Sequence, residues 1–105
     1  MITMNLNEAK DVIMNEQDTR RVFRFVRAAA VLCAPENANQ VSLSELLACM
    51  KRGNESKTMV TISEYAALAL YFRTGRPRRP SSNPYEDFIT DEQNWREYLT
   101  KHQLI

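Results

Sequence analysis

The stretch Thr61–Arg73, TISEYAALALYFR, decides the fold of this chain. Its start has the Thr-x-x-Glu pattern of a capping box, formed by Thr61 and Glu64. Gly75 suits the left-handed residue that follows a helix, and Pro77 prevents the helix from continuing. Apolar residues fall on nearly every side, which indicates burial among neighbouring helices or, alternatively, a surface helix that pairs with another chain. We predict an all-α domain of four or five helices with this segment as its buried central helix.

Length and composition are those of an ordinary globular domain. The chain has 105 residues, enough for one domain with one modest core. Apolar residues make up 44% and charged residues 26%, which is typical of globular proteins. Because the chain has only 2 glycines and few runs of β-branched residues, helix is favoured over sheet. The prediction is therefore a single helical domain over residues 1–105.

The sequence carries no signal for export or membrane insertion. Its start, MITMNLNEAKDV, lacks the basic segment and apolar run of a signal peptide. No apolar stretch approaches the ~20 residues that a membrane span needs. Cys33 and Cys49 lie in apolar helical patterns without CxxC spacing, which favours reduced, buried thiols over the alternative of a disulfide. We predict a cytoplasmic protein without membrane contact.

Two helices are predicted before the deciding segment is reached. The first covers about residues 5–14. The second begins at a cap formed by Asn15 and runs to about Ala34, where Pro35 stops it. A polar loop follows at residues 35–41.

Capping boxes predict two further helices. Ser42 with Glu45 opens a helix that reaches about residue 52, and Thr90 with Gln93 opens the last helix. Between the central and last helices lies GRPRRPSSNP, residues 75–84, whose three prolines are incompatible with regular helix. This Pro/Arg segment is predicted to be extended and exposed.

Charge is distributed unevenly along the chain. The net charge at pH 7 is only +1, but residues 20–80 carry +7 and the segments on either side carry −3 each. A basic middle between acidic ends either steers an anionic partner or is neutralised when the ends fold over it. Both interpretations stay open at this point.

The segment after the central helix contains Gly75, Arg76 and Pro77, a Gly-Arg-Pro core. This core resembles that of the AT-hook, whose extended Arg-Gly-Arg-Pro lies in the minor groove of A·T-rich DNA. Thr74 stands where the AT-hook has its preceding arginine. The resemblance implies that Arg76, together with Arg78 and Arg79, contacts the minor groove or phosphates. The alternative is a proline-stiffened linker whose arginines stay in water or pair with the acidic last helix.

A second candidate for phosphate contact is an arginine stripe on the second helix. Arg20, Arg24 and Arg27 fall on the side opposite to its apolar face. The alternative is an ordinary solvated helix face. A helix-turn-helix is disfavoured, because its recognition helix would be the apolar segment at 62–73.

The last helix offers a different kind of surface. Trp95 and Tyr98 lie on its apolar side, where they either contact a protein partner or dock onto the rest of the domain. His102 is the only histidine and has no partners at metal-ligand spacing, and the cysteines have no base or orienting group beside them. We therefore predict no enzyme, no metal and no cofactor.

These features favour a small regulatory protein that binds DNA through its basic middle. The alternative is an adaptor or inhibitor that binds another protein through the acidic last helix or the arginine stripe. The sequence leaves the oligomeric state open.

Overall fold

The computed structural model describes residues 4–78 and 88–105. These residues form helices and connections without any strand, so the all-α prediction is confirmed. The described helices are α1 at Leu6–Asn15, α2 at Val22–Leu32, α3 at Leu43–Gly53, α4 at Val60–Thr74 and α5 at Glu92–Lys101, with short 3-10 helices η1 at Pro35–Gln40 and η2 at Lys57–Met59.

Side-chain caps start three of the five described α-helices. Asn5 accepts a hydrogen bond from the backbone N–H of Glu8 and so begins α1. Ser42 and Glu45 form the predicted reciprocal capping box of α3. The cap of α5 is Asp91, one residue after the predicted Thr90, because the Asp91 carboxylate accepts from the N–H of Asn94 at 3.0 Å.

The predicted start of α2 is wrong. The helix begins at Val22, and residues 16–21 form a connection. Asp18 closes a local turn, since its carboxylate accepts from the backbone N–H of Arg20 and its carbonyl accepts from the N–H of Arg21. These bonds satisfy the backbone in a non-helical conformation. The predicted loop at 35–41 is also corrected, because most of it is the 3-10 helix η1.

The two ends of α4 behave differently. Gly75 ends the helix in the left-handed conformation, with φ of 70°, as predicted. The capping box predicted at Thr61 and Glu64 is absent, because the 3-10 turn η2 leads directly into α4, whose first residue is Val60.

One hydrophobic core receives side chains from all five α-helices. Trp95, Phe25 and Met50 are among its largest fully buried members. α3 and α4 come close where Gly53 lies against Ser63, whose hydroxyl is 2.7 Å from the Asn54 amide oxygen and 3.2 Å from the Met50 carbonyl. The hydroxyl therefore has an acceptor although it is buried.

Burial of α4 is one-sided. Its inner side, with Ile62, Ala66 and Leu70, is completely buried against the other helices. On its outer side, Tyr65 is 38%, Leu68 is 45% and Phe72 is 73% exposed. The predicted burial among neighbouring helices is therefore seen on the inner side of α4 only, because none of the described elements covers the outer face.

Candidate interaction surfaces

The structure places the three arginines of the predicted stripe in different surroundings. Arg20 lies before α2, where its guanidinium binds the Asp18 carboxylate with an Nε–Oδ1 distance of 3.0 Å. This hydrogen bond lowers the pKa of Asp18. Arg24 pairs with Glu8 of α1 at 3.5 Å. Arg27 is exposed and forms no ion pair within residues 4–78 and 88–105.

The described part of the Pro/Arg segment does not stand away from the domain. The guanidinium of Arg76 lies over the rings of Trp95 and Tyr98, 4.7 and 4.4 Å from their centroids. Its Nη2 also donates to the amide oxygen of Asn94 at 3.1 Å. Arg76 is half-buried, which departs from the exposed arm expected from the sequence. These contacts attach the segment to α5.

Arg78 is also near aromatic rings. Its guanidinium lies 5.7 Å from the ring centre of Tyr71 and 5.2 Å from that of Phe88. Arg79 and most of the predicted segment 75–84 lie outside the described residues. Arg76 and Arg78 therefore pack against the domain. None of their described contacts involves Arg20, Arg24 or Arg27.

Trp95 is a core residue of α5. Its side chain is fully buried, and its Nε1 donates to the Ile89 carbonyl at 2.6 Å. Its ring forms a T-shaped pair with that of Tyr71, with 4.9 Å between the ring centroids. The Tyr71 hydroxyl accepts from the N–H of Ile89, so the chain before α5 is held at both backbone groups of one residue. Tyr98 is half-buried beside Trp95. Trp95 therefore docks onto the rest of the domain, and its ring is not exposed on the surface of the described structure.

The outer face of α4 forms one wall of an open apolar pocket of about 370 Å³. The other walls come from the C-terminal end of α2, from η1 and from the start of α3. Arg73 is the only charged residue in the lining, and its Nη1 donates to the Val41 carbonyl at 2.6 Å. The lining consists of Ala30, Leu32, Cys33, Ala34, Pro35, Ala38, Val41, Leu46, Tyr65, Leu68, Ala69, Phe72 and Arg73.

Sequence reasoning did not locate this pocket. One signal for it was present, because a helix with apolar residues on every side is compatible with a surface helix that pairs with another chain. The remaining walls come from segments that lie 19 or more positions before Tyr65 in the sequence, since the nearest of their residues is Leu46. Their approach depends on the tertiary packing of α2 against α4.

The two cysteines are free thiols, and they are close enough to interact. Cys49 is fully buried, and Cys33 is half-buried in the pocket lining. A hydrogen bond with Cys33, together with burial, raises the pKa of Cys49 well above its usual value. Cys49 is therefore protonated at neutral pH and is a poor nucleophile.

Residues 4–78 and 88–105 contain no group of three or more His, Cys, Asp or Glu side chains arranged to hold a metal ion. None of their helices has both the length and the apolar character needed to cross a membrane. Comparison of the chain with protein-family models, with curated proteins and with solved structures gives no match.

Proposed function

We propose that this chain is a non-enzymatic regulatory protein of the cytoplasm that acts by binding another protein, as an adaptor or inhibitor. The observation that carries the proposal is the apolar outer face of α4, formed by Tyr65, Leu68 and Phe72 beside the pocket. Large contiguous apolar patches are rare on monomeric proteins and mark interaction sites. The proposed contact surface therefore differs from the acidic last helix and the arginine stripe, and it agrees with the alternative that the segment 61–73 is a surface helix that pairs with another chain.

The exposure of Phe72 has a clear energetic meaning. Full burial of a Phe or Leu side chain is favourable by about 1.5–3 kcal/mol. Phe72 and Leu68 gain only part of this free energy in the free chain, because Phe72 is 73% exposed and Leu68 is 45% exposed. A partner that covers both residues gains the remainder, and aromatic anchors of this kind are common interaction hot spots.

A capture experiment with matched variants tests the proposal. The wild-type chain, immobilised, is expected to retain a partner from a lysate of the organism that encodes it, and Leu68→Asp is expected to lose that partner. Leu68 is exposed, so the charge acts on the surface and not on the core. Met14→Asp introduces the same charge at an exposed position of α1 outside the pocket lining and should retain the partner.

Purification of the captured protein completes this test. Titration calorimetry should then show one-to-one binding that Phe72→Ala weakens by about 2 kcal/mol or more. Equal capture by wild type and Leu68→Asp would contradict the proposal. So would loss of capture by Met14→Asp to the same extent.

Duplex DNA is the second candidate partner, favoured by the exposure of Arg20, which lies just before α2, and of Arg27, which lies in the middle of α2. The ion pairs of Arg20 and Arg24 lie at the surface, where water and salt screen them, so they can exchange for phosphate contacts. This proposal ranks second because Arg76 and Arg78, assigned to DNA from the sequence, contact aromatic rings of the chain itself.

DNA binding predicts a strong dependence on salt. If the arginines near α2 contact phosphate, replacement of Arg20, Arg24 and Arg27 by Ala should weaken binding and reduce the slope of log K against log salt by about 0.9 per lost contact. Fluorescence anisotropy with a labelled duplex at two salt concentrations measures both quantities. Combined replacement of Arg76, Arg78 and Arg79 by Ala tests the Gly-Arg-Pro segment, and Arg96→Ala with Lys101→Ala serves as a control in α5. An affinity that is independent of salt, or equal losses in all three variants, would rule out this mode of binding.

A further inference from the structure

We infer that the pocket beside α4 takes an amphipathic α-helix of the partner protein, with apolar side chains entering the pocket and an acidic side chain meeting Arg73. This inference rests on the proposed function and specifies the chemistry of the partner. It is carried by the geometry of the α4 face, by the apolar lining and by the position of one cation at its edge.

The outer face of α4 has the dimensions of a helix-binding site. Tyr65, Leu68 and Phe72 are spaced by three and four residues, so they lie in a row along α4 that is about 10 Å long. A helix laid along this row places side chains at i, i+3 or i+4, and i+7 against it, which is the spacing of helix-in-groove recognition. Among the described residues no strand edge is available for the addition of an extended peptide.

A small ligand confined to the pocket satisfies this surface less well. The volume of about 370 Å³ lies near the lower end of the range of ~300–1,000 Å³ found for small-molecule sites. However, Phe72 is 73% exposed, so the apolar surface continues beyond the pocket. An occupant has to be larger than the pocket to cover both the pocket and this ring. A helix of two or three turns meets that requirement.

The charge of the pocket lining indicates which charged group the occupant carries. Arg73 is the only charged side chain in the lining, and one of its nitrogens is fixed by the Val41 carbonyl. The rest of its guanidinium has no ion pair within the described residues, although Arg has five N–H donors. Glu64 lies on the flank of the α4 outer face that is opposite to Arg73, and Glu36 of η1 does not line the pocket. A carboxylate is therefore the complementary group for this edge.

A second copy of this chain is a poorer occupant. The apolar sides of α1, α2, α3 and α5 contribute to its own core. Phe23 of α2 is exposed, but α2 has no acidic residue, so the helix left to consider for the pocket is α4. In a two-fold symmetric antiparallel pair, flanks with the same residues meet. The flank that carries Arg73 then faces another Arg73 flank, while Glu64 stays on the far side of each helix. Such a pair supplies no carboxylate to Arg73.

A displayed library of single helices with randomised surface positions tests the inference with the full chain as bait. Helices that bind the Leu68→Asp variant are first removed, and the remaining helices are selected for binding to the wild-type chain. This selection should enrich helices with apolar residues at i, i+3 or i+4, and i+7 and with Asp or Glu on one flank. The strongest binder is then synthesised, together with a version in which its acidic residue is replaced by Gln.

A double-mutant cycle on this peptide isolates the charged contact. Arg73→Gln should weaken binding of the acidic peptide by about three- to tenfold and should leave the Gln peptide nearly unaffected. The cycle subtracts any loosening caused by removal of the Arg73–Val41 hydrogen bond. Thermal melting verifies that each variant is folded, and Met14→Asp should bind both peptides like wild type.

Each other outcome overturns a defined part. Enrichment of basic helices, or no coupling in the cycle, would overturn the acidic partner. If no helix is enriched although the cellular partner is still captured through Leu68, the helix inference fails and the proposed function stands. If capture fails as well, both the helix inference and the proposed function fail.

Two measurements test other occupants of the pocket. Displacement of bound peptide is measured with sodium laurate, and tighter binding of laurate than of any helix would assign the pocket to a small amphiphile. A dimer by analytical ultracentrifugation that Leu68→Asp dissociates would assign it to a second copy.

Discussion

Trp95→Ala is expected to destabilise the domain by about 3–5 kcal/mol, a large part of the roughly 5–15 kcal/mol by which domains of this kind are stable. Trp95 is fully buried, so its removal leaves a cavity. It also removes the donor to the Ile89 carbonyl and a ring on which the Arg76 guanidinium rests. Urea denaturation followed by far-UV circular dichroism measures the change in the free energy of unfolding.

Trp95→Phe is the matched control for the cavity. It keeps most of the buried ring and loses the Nε1 donor, so a smaller cost of about 1–2 kcal/mol is expected. Because Trp95 is the only tryptophan, wild-type fluorescence should be blue-shifted and protected from acrylamide. A loss below about 1 kcal/mol for Trp95→Ala, accompanied by loss of the captured partner, would instead make Trp95 the partner contact considered from the sequence.

Local sequence signals predicted helix ends where a single short-range interaction decides them. The Ser42–Glu45 box and the left-handed Gly75 are examples, since each depends on residues at most a few positions apart. The start of α2 was missed because two local signals compete there. Asn15 and Glu16 favour a helix start, but the turn closed by Asp18 satisfies the backbone differently. Sequence patterns alone do not reveal which of the two is more stable.

The candidate site was harder to predict because its parts are distant in sequence. The pocket joins Cys33 and Pro35 to Leu68 and Phe72, and only the packing of α2, η1 and α4 brings them together. Arg76 shows the same limitation, since its basic, proline-flanked position favours an arm, whereas two rings of α5 attract it to the domain. In both cases contacts between residues that are distant in sequence outweigh the local pattern.

The close approach of α3 and α4 gives the second prediction of large effect. A Cβ atom at Gly53 would lie 2.4 Å from the Ser63 hydroxyl oxygen and 2.5 Å from the Ser63 backbone nitrogen. Real Cβ contacts are never this short, so the helices have to separate in Gly53→Ala. Overpacking of this kind costs about 1–3 kcal/mol. Because backbone is involved, we expect about 2–3 kcal/mol by urea denaturation, despite the better helix propensity of Ala.

Two variants distinguish this backbone contact from other effects of removing a glycine. At Gly75 a Cβ would meet nothing within 4 Å, so Gly75→Ala should cost only about 1 kcal/mol, from the positive φ alone. Ser63→Ala in the Gly53→Ala background removes the hydroxyl but leaves the backbone nitrogen in place. It should therefore not restore stability, and it should lose a little more because the hydroxyl no longer bonds to Asn54. Full recovery in this double variant would show that the helices touch only through the Ser63 side chain, and α4 would then have freedom to move away from α3.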